Sequence, residues 1–291
     1  VRVLRASGRT EEALKKARDW YRDQPESPFW RYQMGVLSAS VKEHDRAVEL
    51  FEPLTKGDTE YRDRARFNLA EALYEQGKYD RAAEYYRSVR DDAGFGSRAK
   101  YGLAWVFIKK RNMNRARKLL RDVAENGRTD RANAARDLAR IHRSESRVEK
   151  ADEWYAHAIQ QYGEPRKSEL RIEYANYLVN RGDLTGAIPL YESAKSLEFE
   201  ARKNLIRAYL VDGQFQRAET MIREQQSGGK LLGPVWQVRL ARSRFHQGNY
   251  GGALDALPEP DASGDTTLRQ QILALHGGLY YRLERWEDAR D

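Results

Sequence analysis

Five histidines are the side chains of this sequence that could bind a metal ion, but their spacing does not favour it. A metal site needs several donors that converge on one point, and two ligands on one helix lie three or four residues apart. No two of the histidines have that spacing; they are His44, His142, His157, His246 and His276. We therefore expect these histidines to lie on the protein surface or in a surface groove, and we expect no metal site. Cysteine is absent, which excludes disulfides, thiolate ligands and a cysteine nucleophile.

The carboxylates indicate a structural rather than a catalytic role. Asp45, Asp80, Glu149 and Glu287 each lie near the start of a predicted helix, where negative charge is favourable. No pair of them is placed as a general acid and base, and the common nucleotide, zinc and serine-nucleophile motifs are absent from the sequence. The segment "GFGSRA" at 94–99 matches a dinucleotide-binding pattern, but it follows a predicted helix rather than a strand, so we interpret it as a turn. The sequence predicts a non-catalytic protein without a cofactor.

The composition is that of a folded helical protein. The 291 residues are 33% charged and 40% hydrophobic, with eight prolines, and the formal net charge is +8. Apolar runs fall short of the roughly 18 residues that a membrane span needs. Such a modest excess of positive charge is typical of a solvated surface that carries charges of both signs. It does not determine the compartment, so the cytoplasm and the bacterial periplasm or envelope both stay open. The chain begins without methionine and ends within a predicted helix, so we expect a fragment of a longer protein.

The segment from Asn68 to Val89 predicts a helical hairpin. Two apolar stripes with the three-and-four spacing of a helix face flank Gly77. The stripes consist of Leu69, Ala70, Leu73 and Tyr74, and of Ala82, Ala83, Tyr86 and Val89. Ala70 and Ala82 place one small residue on each helix, so the two backbones can approach closely.

The hairpin repeats along the whole chain. Alanines equivalent to Ala82 recur every 31 to 36 residues, at Ala13, Ala47, Ala82, Ala116, Ala151, Ala187, Ala218, Ala253 and Ala289. Twelve residues earlier, a small residue recurs at Gly35, Ala70, Ala104, Ala139, Ala175, Ala241 and Gly277, with Ile206 as the exception. Three residues before the alanine an aromatic or apolar side chain is frequent, as at Tyr79, Phe215 and Trp286.

A turn residue precedes each repeat alanine by five positions. It is glycine at Gly8, Gly77, Gly182, Gly213 and Gly248, and glycine adopts the left-handed conformation that ends a helix at little cost. The other four turn residues are Lys42, Arg111, Ser146 and Glu284. These four must form the turn either with strain or with a different geometry.

These residues resemble the tetratricopeptide repeat family, whose unit is a helical hairpin of 34 residues. Pentatricopeptide repeats have a similar length, but their loop signature of glycine, proline and aspartate is missing here. Half-a-tetratricopeptide repeats favour tryptophans in one register, which the six tryptophans of this chain do not hold. The resemblance implies an all-α fold, a right-handed α-solenoid of about eight to nine stacked antiparallel hairpins that forms one domain over residues 1–291. Irregular junctions are expected at 225–234 and at 257–265, where Pro258 limits a second helix to about two turns.

The resemblance also implies that the first helix of each hairpin lines a concave groove. Its ligand-facing positions would be aromatic in the first half of the chain, at Phe29, Tyr32, Phe67, Tyr74, Tyr101 and Trp105. In the second half they would be basic, at Arg136, Arg140, Arg143, Lys203, Arg207 and Arg242. Two alternatives stay open: several aromatic residues could pack between hairpins, and neighbouring carboxylates could neutralise the arginines.

We expect a protein-interaction scaffold whose groove binds a segment of another protein, in part an acidic one because arginine suits carboxylate and phosphate groups. The family's carboxylate clamp for chaperone C-termini is not expected, since only Asn68 matches it and Arg98 merely conserves charge. The alternative hypothesis is a module of a bacterial exopolysaccharide export or envelope assembly system that binds an anionic polymer or recruits an enzyme. The sequence leaves the oligomeric state open.

Overall fold

The computed structural model describes residues 10–56, 58–227, 233–262 and 264–284. Every regular element in these residues is helical, and none of their helices is long and apolar enough to cross a membrane. The chain divides into two compact units, Val1–Tyr162 and Gly163–Asp291. In each unit, antiparallel helical hairpins stack on their neighbours, which confirms the expected all-α solenoid fold.

The described residues of the first unit form one helix followed by four hairpins. Its helices are α1 Thr10–Asp23, α2 Pro28–Ser40, α3 His44–Phe51, α4 Arg62–Glu75, α5 Tyr79–Ser88, α6 Gly96–Lys109, α7 Met113–Asn126, α8 Arg131–Ser144 and α9 Val148–Gln161. A short 3₁₀ helix, Glu52–Thr55, continues α3. One large core cluster runs from Ala47 to Ala116, so successive hairpins share their buried apolar faces.

The described residues of the second unit form three hairpins followed by one helix. Its helices are α10 Arg166–Asn180, α11 Leu184–Glu192, α12 Phe199–Val211, α13 Phe215–Ser227, α14 Pro234–His246, α15 Tyr250–Ala256 and α16 Thr266–Arg282. Its main core extends from Ala175 to Leu240, and a smaller cluster joins Val238 to Leu268 and Ile272.

The second helix of every described hairpin begins three residues before its repeat alanine. These starts are His44, Tyr79, Met113, Val148, Leu184, Phe215 and Tyr250. The alanines themselves are fully buried from Ala47 to Ala253. A Cβ atom added at Gly35 would lie 2.6 Å from the ring of Phe51, which shows how closely the paired helices approach. The small residues are thus the contact points between helices.

All eight described turn positions adopt the left-handed conformation. Their φ angles range from 56° at Arg111 to 91° at Gly182. In the third repeat, the amide of Gly77 donates to the carbonyl of Tyr74 at 2.9 Å, and the amide of Lys78 donates to the carbonyl of Leu73 at 2.9 Å. The turns at Lys42, Arg111, Ser146 and Glu284 therefore have the same geometry as the glycine turns, and they carry the strain of a side chain at positive φ.

Some sequence predictions fall on residues outside the described ranges. These are the turn at Gly8, the final repeat residues Trp286, Glu287 and Ala289, the side chain of Ala13, and positions 228–232 of the first irregular junction. In the second junction, α15 ends at Ala256, two residues before Pro258, and a 3₁₀ helix follows at Pro260–Ala262.

Candidate binding grooves

In the first unit, a groove runs across the first helices α2, α4 and α6. It contains a cleft of ≈ 620 Å³ between α2 and α4, and a second cleft of ≈ 240 Å³ between α4 and α6. Phe67, Glu71 and Glu75 border both clefts, and Tyr74, Tyr101 and Trp105 line the second. We call this surface the unit 1 groove. Four of the six aromatic residues predicted from the sequence therefore border one continuous surface.

The other two predicted aromatics, Phe29 and Tyr32, form a cluster at the start of α2. The ring centroid of Phe29 lies 6.3 Å from that of Tyr61, and the ring of Tyr32 lies 5.2 Å from the same residue. The hydroxyl of Tyr32 also accepts a hydrogen bond from Nδ2 of Asn68 at 2.9 Å. Phe29 is 38% exposed, so this cluster presents part of its ring surface to solvent.

Phe67 serves mainly to pack neighbouring hairpins together. It is only 3% exposed, and its ring stacks on that of Phe95 at 5.4 Å. The guanidinium carbon of Arg98 lies 4.5 Å from the centre of the same ring, in a cation–π contact. Phe67 thus forms the floor of the unit 1 groove and positions Arg98 above it.

Tyr74 and Tyr101 offer hydroxyl groups that stay protonated over the physiological range. Partial burial, with the nearby Tyr79 and Glu75, raises the pKa of Tyr74 to about 12. The hydroxyl of Tyr101 donates to the buried carboxylate of Asp137 at 2.6 Å. Burial and the charge of Asp137 raise the Tyr101 pKa as well. Tyr74 can therefore act as a hydrogen-bond donor beside an apolar ring, whereas the single hydroxyl proton of Tyr101 is already donated to Asp137.

The unit 1 groove also carries carboxylates that the sequence analysis did not select. Glu71, Glu75 and Asp130 line its second cleft. Glu71 reaches solvent through the cleft, yet the surrounding protein partly desolvates its carboxylate, and this desolvation raises its pKa. The hydrogen bond from Tyr86 and the charge of Arg98 lower the pKa and offset part of that effect. This groove is therefore aromatic and carries carboxylates beside Arg98, and the acidic ligand expected from the sequence concerns the basic positions of the second half.

A buried tyrosine recurs four residues after the repeat alanine and reaches from the second helix of a hairpin to the first. Tyr86 donates to Glu71, and Tyr191 donates to Oδ1 of Asn176 at 2.5 Å. In the fifth repeat, the hydroxyl of Tyr155 accepts from Nη1 of Arg143 at 3.2 Å. The tyrosine spacing is the sequence signal that could have found these contacts.

A buried carboxylate pairs with two of the three arginines of the fifth repeat. Asp137 accepts from Arg136 at 3.2 Å, and Arg140 lies 3.9 Å from the same oxygen. Since Arg143 contacts Tyr155, each of the three already has a protein partner. The sequence left open that neighbouring carboxylates pair with the groove arginines, and this alternative applies to Arg136 and Arg140.

In the second unit, three arginines surround one pocket of ≈ 420 Å³ formed by α12, α14 and the start of α16. They are Arg207 and Arg242, which the sequence analysis predicted, and Arg239, which it missed. Burial lowers the pKa of Arg239, and the charges of Arg207 and Arg242 lower it further. Lys203 lies outside this group, because its Nζ pairs with Glu200 at 3.0 Å. We call this site the arginine pocket.

Within the described residues, no carboxylate forms an ion pair with any of the three guanidinium groups of the arginine pocket. Asp265 also lines the pocket, and its Oδ1 accepts from the backbone amides of Thr267 and Leu268 at 2.8 and 3.2 Å. The described residues contain no cluster of histidines and carboxylates that could hold a metal ion.

Seven stacked hairpins in the described residues, joined through small side chains, define an α-solenoid repeat protein. Two tetratricopeptide repeat family models match the sequence, one over residues 32–97 and the other over residues 73–141. The segment 32–141 thus matches the tetratricopeptide repeat family, as the repeat pattern of the sequence predicted. Repeats of this family support a general role as a protein-interaction scaffold.

Solved structures with the same fold come from bacteria and yeast. PilF of Pseudomonas aeruginosa is 18% identical, with a TM-score of 0.54 over 71% of this chain and 87% of its own. A tetratricopeptide repeat protein of Parabacteroides merdae is 16% identical, with a TM-score of 0.51 over 82% and 94%. Yeast Tom70 is 12% identical, with a TM-score of 0.51 over 94% of this chain and 59% of its own. No curated protein matches the sequence.

Proposed function

We propose that this protein is a non-catalytic scaffold that binds a segment of a partner protein in the unit 1 groove. The observation that carries the proposal is the pair of adjoining clefts across α2, α4 and α6, with Tyr74, Tyr101 and Trp105 on their walls. Aromatic side chains combine large apolar area with a polar group and few rotatable bonds, so they dominate the binding energy of many interfaces. Glu71 and Glu75 add acceptors for the backbone amides or basic side chains of the segment.

Capture of partners on the immobilised protein tests this proposal. We expect Trp105→Ala to reduce the yield of the captured partner at least about tenfold, because truncation of a central aromatic contact typically costs 2 kcal/mol or more. Trp20→Ala is the matched control, since Trp20 is an exposed tryptophan on α1 that does not border the clefts. Arg87→Ala on α5 controls for the opposite side of the hairpin. Equal capture by all three variants would refute the groove assignment.

The arginine pocket favours a second candidate function, the binding of an anionic polymer as in a bacterial envelope assembly system. Its three guanidinium groups form no ion pair within the described residues, so they remain available to an anion. A salt titration separates the candidates. Binding through many phosphate or carboxylate charges weakens steeply with ionic strength, whereas binding through the aromatic unit 1 groove does not.

A further inference from the structure

The arginine pocket is a confined site rather than an extended basic surface. Arg207 comes from α12, and Arg239 and Arg242 lie three residues apart on α14, so one turn of that helix places both beside the same pocket. The walls between them are aliphatic; they consist of Leu210, Val211, Val235, Val238 and Leu268. A site of ≈ 420 Å³ accommodates a few side chains of a larger ligand at a time.

The charges of this pocket are not balanced by the described protein around it. Three guanidinium groups and the single carboxylate of Asp265 leave a net charge of +2. Arginine does not lose its proton at physiological pH, so mutual repulsion between Arg207, Arg239 and Arg242 persists in the free protein. The ring of Trp236 beneath Arg239, at 4.8 Å from its guanidinium carbon, holds that side chain in place despite the repulsion. An anion that enters the pocket relieves this repulsion.

The aliphatic walls narrow the class of ligand further. Val211 is 61% exposed and Val235 is 44% exposed, so the pocket offers apolar surface to solvent beside its charges. None of the residues that line it carries an aromatic ring on which a nucleobase could stack. A ligand that satisfies both features carries negative charge and aliphatic groups within a few ångströms of each other. Glutamate or aspartate beside valine or leucine in a peptide has this combination.

We propose that the arginine pocket binds two acidic side chains of a partner peptide, together with an adjoining aliphatic side chain. The proposal rests on the scaffold function proposed above and specifies a second point of contact for the partner. A phosphorylated side chain supplies the same double negative charge, so the shared chemistry is a peptide-borne anion with a charge near −2.

Titration of the whole protein with synthetic peptides tests the proposal. The probe is a blocked, tetramethylrhodamine-labelled peptide in which pairs of glutamates alternate with valine and leucine, followed by anisotropy. Its counterpart replaces glutamate by glutamine, and a third peptide carries phosphoserine between the aliphatic residues. We expect the glutamate peptide to bind at least about tenfold more tightly than the glutamine peptide. Tighter binding of the phosphoserine peptide would assign the anion to phosphate, and tighter binding of a single-stranded oligothymidylate would overturn the proposal.

Variants locate the binding within the molecule. Arg239→Gln and Arg207→Gln should each weaken the glutamate peptide at least about tenfold and leave the glutamine peptide unchanged. Arg269→Gln is the matched control, since it removes one positive charge from α16 outside the pocket. The double variant Arg207→Glu with Arg239→Glu should prefer a lysine peptide instead. Equal affinity of all arginine variants for the glutamate peptide would overturn the proposal, while capture through Trp105 would still stand.

Discussion

The hydroxyl of Tyr86 on α5 donates a hydrogen bond to the carboxylate of Glu71 on α4. Tyr86 is 1% exposed, whereas Glu71 borders both clefts of the unit 1 groove, so one bond joins the interior of the hairpin to its binding surface. Burial and the charge of Glu71 raise the pKa of Tyr86 far above its ordinary value, so the phenol remains the donor at every physiological pH. The position of a groove carboxylate therefore depends on a core residue.

The first prediction concerns this bond. Tyr86→Phe leaves the partly desolvated carboxylate of Glu71 without its donor, and we expect the free energy of unfolding to fall by about 1–3 kcal/mol. Glu71→Gln keeps an acceptor for the phenol and removes the charge, so its effect should be smaller. Urea unfolding of both single variants and the double variant gives the coupling energy. Additive effects would contradict the bond.

The second prediction concerns the space that Tyr86 occupies. A Cβ atom added at Gly102 would lie 2.5 Å from Cζ of Tyr86, so glycine at this position lets the ring cross to α4. We expect Gly102→Ala to destabilise the protein by about 1–3 kcal/mol through overpacking.

Gly251→Ala provides the control for Gly102→Ala. This glycine also lies within a helix, α15, but a Cβ atom there meets no atom of the described residues within 4 Å. It should stabilise the protein by about 0.5–1 kcal/mol, because alanine favours the helix. Thermal unfolding distinguishes the two signs, and a loss of stability at both positions would refute the steric explanation.

The third prediction concerns the left-handed turns. Arg111 and Ser146 hold φ angles of 56° and 57°, which glycine adopts without strain. Arg111→Gly and Ser146→Gly should each raise the free energy of unfolding by up to about 1 kcal/mol, the relieved strain being partly offset by the greater freedom of glycine in the unfolded chain. Gly182→Ala should lower it by about 1 kcal/mol, since open space around Gly182 leaves only the backbone strain. Stabilities that do not move in these opposite directions would contradict backbone strain at positive φ as the cause.

The fourth prediction concerns pH. His142 is buried, and no hydrogen-bond partner for either ring nitrogen lies among the described residues. Burial lowers its pKa, with Glu145 opposing and Arg117, Arg121 and Arg147 adding to the shift.

Because the unfolded chain binds the His142 proton more tightly than the folded one, stability should fall as the pH drops below the ordinary histidine pKa of 6.5. His142→Leu should flatten the unfolding free energy between about pH 7 and pH 5. Equal slopes in the two proteins would disprove the role of His142.

Local periodicity determines much of this fold, and those features could be predicted. The repeat alanines marked the buried helix contacts from Ala47 to Ala253, and the turn residues marked every described helix end between paired helices. The expectation of surface or groove histidines did not hold for His142, which is buried. Whether a residue on a helix faces its own hairpin or the next one depends on packing that the spacing alone does not specify.

The grooves were less predictable because they depend on contacts between helices. Phe67 and Trp105 were selected by the same rule, yet Phe67 is buried against Phe95 while Trp105 lines a cleft. Asp137 pairs with two selected arginines from within their own helix. Arg239 was missed because it lies outside the positions that the family resemblance assigns to the ligand. Predicting the charge balance of a groove therefore requires the positions of all neighbouring side chains.

The buried tyrosines have a consequence for how a partner would be recognised. Glu71, Arg143 and Asn176 are each held by a phenol that belongs to the hydrophobic interior. Their rotamers are restricted before any encounter, so most of the entropic penalty of association would fall on the incoming segment. Selection among competing segments would then depend on how well each one conforms to a surface that is already ordered.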